Sequence, residues 1–102
     1  MRERDIEAYL VARVKELGGE VRKVQWVGRR AAPDRLVMLP VGRLNWRGTS
    51  CAWVELKAPG GFATFPKDER ERAQFREHVR MRAMGQTVVV IDSHDAVDRL
   101  LA

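Results

Sequence analysis

Trp53-Val54-Glu55-Leu56-Lys57 has the alternation of a half-buried β-strand that ends in an acid, an apolar residue and a lysine. Side chains alternate between the two faces of a strand, so Glu55 and Lys57 share one face while Val54 and Leu56 share the other. An acid and a lysine side by side are suited to bind a divalent cation and a phosphodiester together. The alternative is a solvated acid–base ladder at the end of a sheet, because Glu-x-Lys tripeptides are common.

A second acid precedes the neighbouring apolar run. Pro33-Asp34 stands directly before residues 36–39, which read Leu-Val-Met-Leu. Mg²⁺ prefers carboxylates, carbonyls and water as ligands. Asp34 and Glu55 would supply two carboxylates and Leu56 a backbone carbonyl, while Lys57 would orient or deprotonate the attacking water or stabilise the phosphate. Together these residues predict a metal-dependent nuclease.

Hydrophobic periodicity and turn residues predict the element order α-β-β-β-α-β-α. The predicted elements are a helix over 3–17, strands over 21–27, 34–39 and 50–57, a helix over 67–84, a strand over 87–91, and a short helix capped by Ser93. The second and third strands should form a hairpin-like pair around a turn at 40–42. The strand at 87–91 follows a helix, so its neighbour should be parallel, and its apolar composition is typical of a buried strand. The prediction is a single α/β domain over 1–102, a mixed sheet with helices on its faces.

Composition favours a polyanionic partner. The chain has 102 residues, 32% of them charged, and a formal net charge of +5. Such basicity is typical of nucleic-acid binding but also occurs on ordinary surfaces. No stretch approaches the ~20 apolar residues that cross a bilayer, and the N-terminus does not resemble a secretory signal. A cytoplasmic protein without a membrane partner is therefore expected, and Cys51, the only cysteine, excludes an intrachain disulfide.

Two helices add candidate residues. On a helical wheel Glu7 falls on the apolar stripe of Leu10 and Val14, with Glu3 one turn earlier. An acid on a core-facing stripe is costly unless it is paired or binds a metal, although a favourable position in the helix dipole is the alternative for both. On the long helix Gln74 could bind a metal-bound water or Lys57, or could simply be exposed.

These residues together resemble the VRR-NUC family of the PD-(D/E)xK nuclease superfamily. The resemblance covers essentially the whole chain, and its most specific pieces are 28–37 (GRRAAPDRLV) and 54–60 (VELKAPG). Residues 5–11 and 88–93 are also similar to the small stand-alone members carried by bacteriophages. If the chain is phage-encoded, it would act in the cytoplasm of a bacterial host.

The resemblance implies a restriction-endonuclease-like α-β-β-β-α-β core and metal-dependent hydrolysis of DNA. Asp34 and Glu55 match the family's metal-binding acids and Lys57 its catalytic lysine. Glu7 matches the first-helix acid, as a ligand directly or through water, with Glu3 as the rival. Gln74 matches a glutamine on the following helix. Mg²⁺ is the expected cofactor, and Mn²⁺ is expected to substitute.

The sequence departs from the family pattern in two places. The family has a glycine two residues before its Pro-Asp pair, where this chain has Ala31. If that position requires positive φ, Ala31 carries strain or the loop differs. The segment between Lys57 and Gln74 is also longer than expected, which weakens the assignment of Gln74.

Several arginines are candidate DNA contacts, chiefly Arg29, Arg30 and Arg35 beside the predicted acids. On the long helix interleaved acids favour ion pairs within the helix. The prediction is a structure-selective DNA endonuclease, acting at a junction or flap as a homodimer whose two sites would cut two strands of a junction or duplex. The alternatives are a non-catalytic DNA-binding module with a basic cleft and an RNA-processing nuclease.

Overall fold

The computed structural model describes residues 1–40 and 50–102 and contains the elements in the predicted order. They are α1 (Glu3–Glu16), β1 (Glu20–Lys23), β2 (Arg35–Met38), β3 (Cys51–Leu56), α2 (Glu69–Ala83), β4 (Val88–Ile91) and α3 (His94–Leu101). Residues 41 and 42 of the predicted turn lie outside the described residues.

The four strands form one mixed sheet in the order β1-β2-β3-β4. β2 pairs antiparallel with both β1 and β3, while β3 pairs parallel with β4. This confirms the predicted hairpin-like pair and the parallel neighbour of the last strand. The last strand is less buried than predicted, because β4 is at an edge of the sheet and Val89 and Val90 are only half-buried.

The two faces of the sheet are covered by different helices. Ile6, Leu10 and Val14 of α1 join Val97 of α3 in one apolar cluster, together with Ala52, Val54 and Leu56 of β3. The alternate residues of β3 contact α2 instead, since Glu55 meets His78 and Lys57 is bonded to Gln74 just beyond the strand. Because side chains alternate along a strand, α1 and α3 lie on one face and α2 on the other.

The helix ends carry capping side chains and a glycine, of which the Ser93 cap was predicted. The side chain of Ser93 accepts a hydrogen bond from the Ala96 N–H, and Asp68 caps α2 in the same way through the Glu71 N–H. Both bonds satisfy amide groups that have no partner inside the helix. After α1, Gly18 has a φ of +85°, a conformation that glycine adopts without steric cost.

The first strand is shorter than the predicted range 21–27. β1 ends at Lys23, and Trp26 lies in the connection to β2, where its indole N–H donates to the Pro33 carbonyl at 2.9 Å. Val24 still donates to the Asp34 carbonyl just beyond the strand. Val27 is 94% exposed, so the prediction of a strand through residue 27 was wrong.

Candidate active site

A cleft of about 670 Å³ opens beside the C-terminal end of β3. The predicted residues Asp34, Glu55, Leu56, Lys57 and Gln74 all line it. The other lining residues are Glu3, Arg30, Ala31, Ala32, Arg35, Glu69, Arg70 and Ala73. Residues distant in sequence therefore meet in one concave surface.

The strand register brings the two predicted acids together. Arg35 of β2 pairs with Val54 of β3 in an antiparallel ladder. Extended by one residue, the same register would place Asp34 opposite Glu55, and extended by two it would place Pro33 opposite Leu56. Pro33 has no N–H to donate to the Leu56 carbonyl. The end of this strand pair thus combines two carboxylates with a carbonyl that Pro33 does not bind.

Lys57 is buried and held by two side chains of α2. Its Nζ donates to Gln74 Oε1 at 2.6 Å and forms an ion pair with Glu71 Oε2 at 3.0 Å. Lys57 is 6% exposed, Glu71 3% and Gln74 8%. The alternatives of a solvated Glu-x-Lys ladder and an exposed Gln74 are therefore wrong for this structure.

The ion pair affects the titration of Glu71. Burial alone would raise the pKa of this carboxyl. The hydrogen bond from Lys57, a further bond from the Lys67 backbone N–H and the charges of both lysines outweigh burial, so the pKa of Glu71 lies below its usual value. Glu71 is therefore an ionised partner of Lys57 at neutral pH.

Glu55 contacts a buried histidine. His78 Nε2 lies 3.1 Å from Glu55 Oε1, and the two side chains are 1% and 12% exposed. The His78 ring stacks against the Phe65 ring at a centroid distance of 5.6 Å. Lys57 Nζ lies 5.0 Å from the centre of the Phe65 ring. The long segment between β3 and α2 thus supplies an aromatic ring that covers both polar pairs.

The two candidate acids of α1 have different surroundings. Glu7 forms an ion pair with Arg35 Nε, and Arg35 also contacts Asp34 Oδ1 at 2.8 Å. The bond to Glu7, with the nearby charge of Asp34, raises the pKa of Arg35 despite partial burial. Glu3 lines the cleft, whereas Glu7 is not among its lining residues. The ion pair with Arg35 offsets the cost of placing Glu7 on the core-facing stripe of α1.

Within residues 1–40 and 50–102, no three His, Cys, Asp or Glu side chains converge in a group that could hold a metal ion. The carboxylates that meet at the end of the strand pair are Asp34 and Glu55. Mg²⁺ sites in phosphoryl-transfer enzymes commonly use one or two carboxylates, with waters and substrate oxygens completing the octahedron. The donor set fits such an ion and provides no all-protein cage.

The predicted DNA-binding arginines are divided among three environments. Arg30 lines the cleft, while Arg29 forms an ion pair with the buried Glu77 of α2. Arg35 is paired with Glu7 and Asp34. On α2 the expected ion pairs within the helix are present for Glu69, which contacts Arg72 and Arg76, and for Glu77, which contacts Arg80. Outside the helix, Glu77 also pairs with Arg29, and Glu71 pairs with Lys57.

Ala31 has a φ of +65°, the left-handed conformation that glycine adopts most easily. The family pattern predicts either a strained alanine or a different loop at this position. Ala31 keeps the left-handed backbone and lines the cleft next to Asp34. The strain is therefore located beside a candidate metal ligand.

Sequence reasoning missed Glu71 as a partner of Lys57 and did not assign a role to His78. Both lie on the same stripe of α2 as Gln74, since Glu71, Gln74 and His78 occupy positions i, i+3 and i+7. That spacing was the available signal, because a buried Gln74 places residues 71 and 78 on the same inward face. The surrounding arginines concealed the signal by making Glu71 resemble a surface ion-pair partner.

Comparison with known proteins agrees with this geometry. No family model matches the sequence. The chain is 41% identical over 95 residues to "Putative nuclease p44" of Acyrthosiphon pisum secondary endosymbiont phage 1, covering 93% of this chain and 87% of that protein. A solved structure named "VRR_NUC domain" superposes with a TM-score of 0.69 at 36% identity, over 96% of this chain and 91% of that one.

The four-stranded mixed sheet, its flanking helices and these similarities define a nuclease with a restriction-endonuclease-like core. Within that class, the chain belongs to the VRR-NUC family. None of the helices in the described ranges has the length and apolar character needed to cross a membrane.

Proposed function

We propose that this protein is a divalent-metal-dependent DNA endonuclease whose catalytic residues are Asp34, Glu55 and Lys57. The observation that carries the proposal is their convergence on one cleft, with the two acids set side by side by the β2–β3 register. Gln74 assists by binding Lys57 Nζ at 2.6 Å. A buried lysine beside two acids is poorly explained by stability alone, because buried charges contribute little net stability.

Asp34, Glu55 and the Leu56 carbonyl would bind Mg²⁺, with Mn²⁺ as a substitute. A bound Mg²⁺ would lower the pKa of a coordinated water and neutralise charge on the scissile phosphate. Arg35 occupies Asp34 Oδ1 and His78 occupies Glu55 Oε1. Each carboxylate therefore has a second oxygen that could bind the metal ion. Two ligands of this kind would leave other coordination positions for water and substrate.

Lys57 would act on the reacting groups directly. An ammonium group has three N–H donors. Two of them are directed at Gln74 and Glu71, which leaves one for a phosphate oxygen or the attacking water. A donor already fixed by burial needs little reorganisation when negative charge develops in the transition state.

DNA is the proposed substrate because arginines line the cleft together with its acids. Arg30 and Arg70 line it, and Arg29 lies near it on the α2 side, in agreement with the net charge of +5. Contacts from arginine to phosphate are independent of sequence and weaken steeply with salt. The enzyme is therefore proposed to select DNA by shape, as at a junction or a flap.

A homodimer is proposed because a branched DNA offers two strands to cut. The candidate residues form one catalytic cleft, and a two-fold dimer would present two such clefts to the two strands of a branched substrate. Sedimentation of the active protein tests this part independently. A strictly monomeric enzyme with full activity would contradict it.

The decisive experiment is cleavage of labelled single strand, duplex, flap, four-way junction and a matched RNA, with Mg²⁺, Mn²⁺ or EDTA. We expect metal-dependent cutting of a branched DNA that Lys57→Ala reduces by at least about 10²-fold. Lys15→Ala is the matched control, since Lys15 is exposed on α1.

The other outcomes assign the protein differently. Tight binding without cleavage under any metal would place it among DNA-binding modules. Preferential cutting of the RNA would make it an RNA-processing nuclease. Cleavage that survives EDTA would contradict the proposed metal dependence.

A further inference from the structure

α2 presents a stripe of three buried polar side chains to the end of β3. Glu71, Gln74 and His78 are 3%, 8% and 1% exposed and occupy positions i, i+3 and i+7 of the helix. Burial of polar groups is costly unless each finds a partner. Here each of the three is bonded to a residue of the proposed active site.

We propose that Glu71 and His78 are positioning residues, Glu71 for the Lys57 ammonium and His78 for the Glu55 carboxylate. The inference rests on the proposed nuclease function and adds two residues to the site. Neither lines the cleft, so Glu71 would act through Lys57 and His78 through Glu55.

The His78 contact has a defined direction. As a metal ligand Glu55 would be a carboxylate, which only accepts hydrogen bonds, so the proposal has His78 Nε2 donate to Glu55 Oε1. That bond leaves Oε2 as the oxygen for a cation. Stacking on Phe65 and almost complete burial prevent the ring from rotating away. Outer partners that orient a metal-binding residue in this way typically change metal affinity or activity by ~10–100-fold.

The Glu71 contact directs the lysine. Lysine is flexible, and a buried lysine without a fixed partner would sample several rotamers. Glu71 Oε2 and Gln74 Oε1 bind the ammonium, and the Phe65 ring lies 5.0 Å from Nζ. Glu71 is itself fixed, because its Oε1 accepts the Lys67 backbone N–H at 3.0 Å. The carboxylate therefore determines where the remaining Lys57 donor points.

The two contacts predict separable defects. Loss of the His78 donor should weaken metal binding, whereas loss of the Glu71 charge should slow the chemical step at saturating metal. The test compares His78→Leu, His78→Gln and Glu71→Gln with wild type. His94→Gln and Glu20→Gln are matched controls, since neither residue lines the cleft and Glu20 pairs with Met38 at the other end of the sheet.

Three measurements are made well below the lowest Tm of the set. They are calorimetric binding of Mn²⁺ to the free protein, kcat and KM against metal concentration on the best branched DNA, and NMR detection of lysine ammonium protons. We expect His78→Leu to weaken Mn²⁺ binding by ~10–100-fold. The side-chain amide of His78→Gln should recover part of that loss, because it can still donate near the position of Nε2.

Glu71→Gln should leave Mn²⁺ binding within about 2-fold of wild type and lower kcat by about 10-fold or more, since a displacement of ~1 Å can cost 10²-fold. The slowly exchanging ammonium signal of Lys57 should disappear in this variant. Both controls should match wild type in all three measurements.

Two results would overturn the inference while leaving the nuclease function intact. One is an active wild type whose His78 and Glu71 variants bind Mn²⁺ and cut DNA normally. The other is a joint loss of binding and kcat that simply follows Tm, which would make both residues structural. A wild type that neither binds Mn²⁺ nor cuts any substrate would contradict the proposed function itself, and this inference with it.

Discussion

The two faces of β3 show how one strand serves stability and chemistry separately. On one face Ala52, Val54 and Leu56 pack with apolar residues of α1 and α3. On the other face Glu55, followed by Lys57, meets polar side chains of α2. The first face depends on area removed from water, which is non-directional, while the second depends on paired hydrogen bonds with defined geometry.

The difference indicates where substitutions should be tolerated. An apolar contact accepts another side chain of similar volume, whereas a buried ion pair fails when either partner is removed. Stability should therefore respond most to the α1 and α3 face and catalysis most to the α2 face. The following experiments test this division, beginning with the largest expected effect.

Leu10→Ala should have the largest effect on stability, a loss of about 2–5 kcal/mol, because Leu10 is fully buried in the apolar cluster. Urea unfolding measures the change. Val11→Ala is the matched control, since Val11 is 43% exposed on the same helix and should change stability by less than ~0.5 kcal/mol. If Leu10→Ala abolished kcat while the protein remained folded, the two faces would not be separable.

Glu7 and Glu3 should separate stability from activity within one helix. Glu7→Gln should cost about 1–3 kcal/mol, because it removes a charged partner of the partly buried Arg35. Glu3→Gln should leave stability almost unchanged but reduce metal-dependent cleavage, because Glu3 lines the cleft. Urea unfolding measures the stability of both variants, and cleavage assays run in parallel measure their activity. A larger loss of activity in Glu7→Gln at full folding would instead support Glu7 as the helix acid.

The Lys57–Glu71 pair should make the stability of the α2 face depend on pH. The pKa of Glu71 is lower in the folded protein than its usual 4.5. Its contribution should be complete above that value and should disappear as pH falls through the lower folded pKa. Wild type should therefore exceed Glu71→Gln in free energy of unfolding at pH 7, with the difference shrinking below about pH 4. A difference that is constant between pH 7 and pH 3 would contradict the ionised pair.

Ala31→Gly should have the smallest effect. Glycine relieves the left-handed backbone at φ +65° but adds freedom to the unfolded chain, so the two terms partly cancel. We expect an increase in stability of less than ~1 kcal/mol, measured by thermal unfolding, and no loss of cleavage. A clear destabilisation would show that the Ala31 side chain makes a contact that outweighs its strain.

Local sequence signals predicted most of the fold. The apolar spacing of Ile6, Leu10 and Val14, the glycines after the helices and the capping Ser93 act over a few residues, so they are readable without a structure. The prediction of β1 failed for a non-local reason. Residues 24–27 have strand-like composition, but the chain leaves the ladder after the bond from Val24 to the Asp34 carbonyl, and the Trp26 indole binds the Pro33 carbonyl instead.

The sequence by itself determined the element order, the two faces of β3, and Asp34, Glu55 and Lys57 as the candidate site, because these follow from alternation and from short motifs. Only the tertiary structure decided which residues surround that site. In the sequence, Glu71 and His78 share only a helical spacing with Gln74, and the neighbouring arginines make Glu71 resemble a surface ion-pair partner. Their burial arises from the packing of α2 against the sheet, a long-range contact in which Lys57 and Glu55 supply the partners that make the buried charges tolerable.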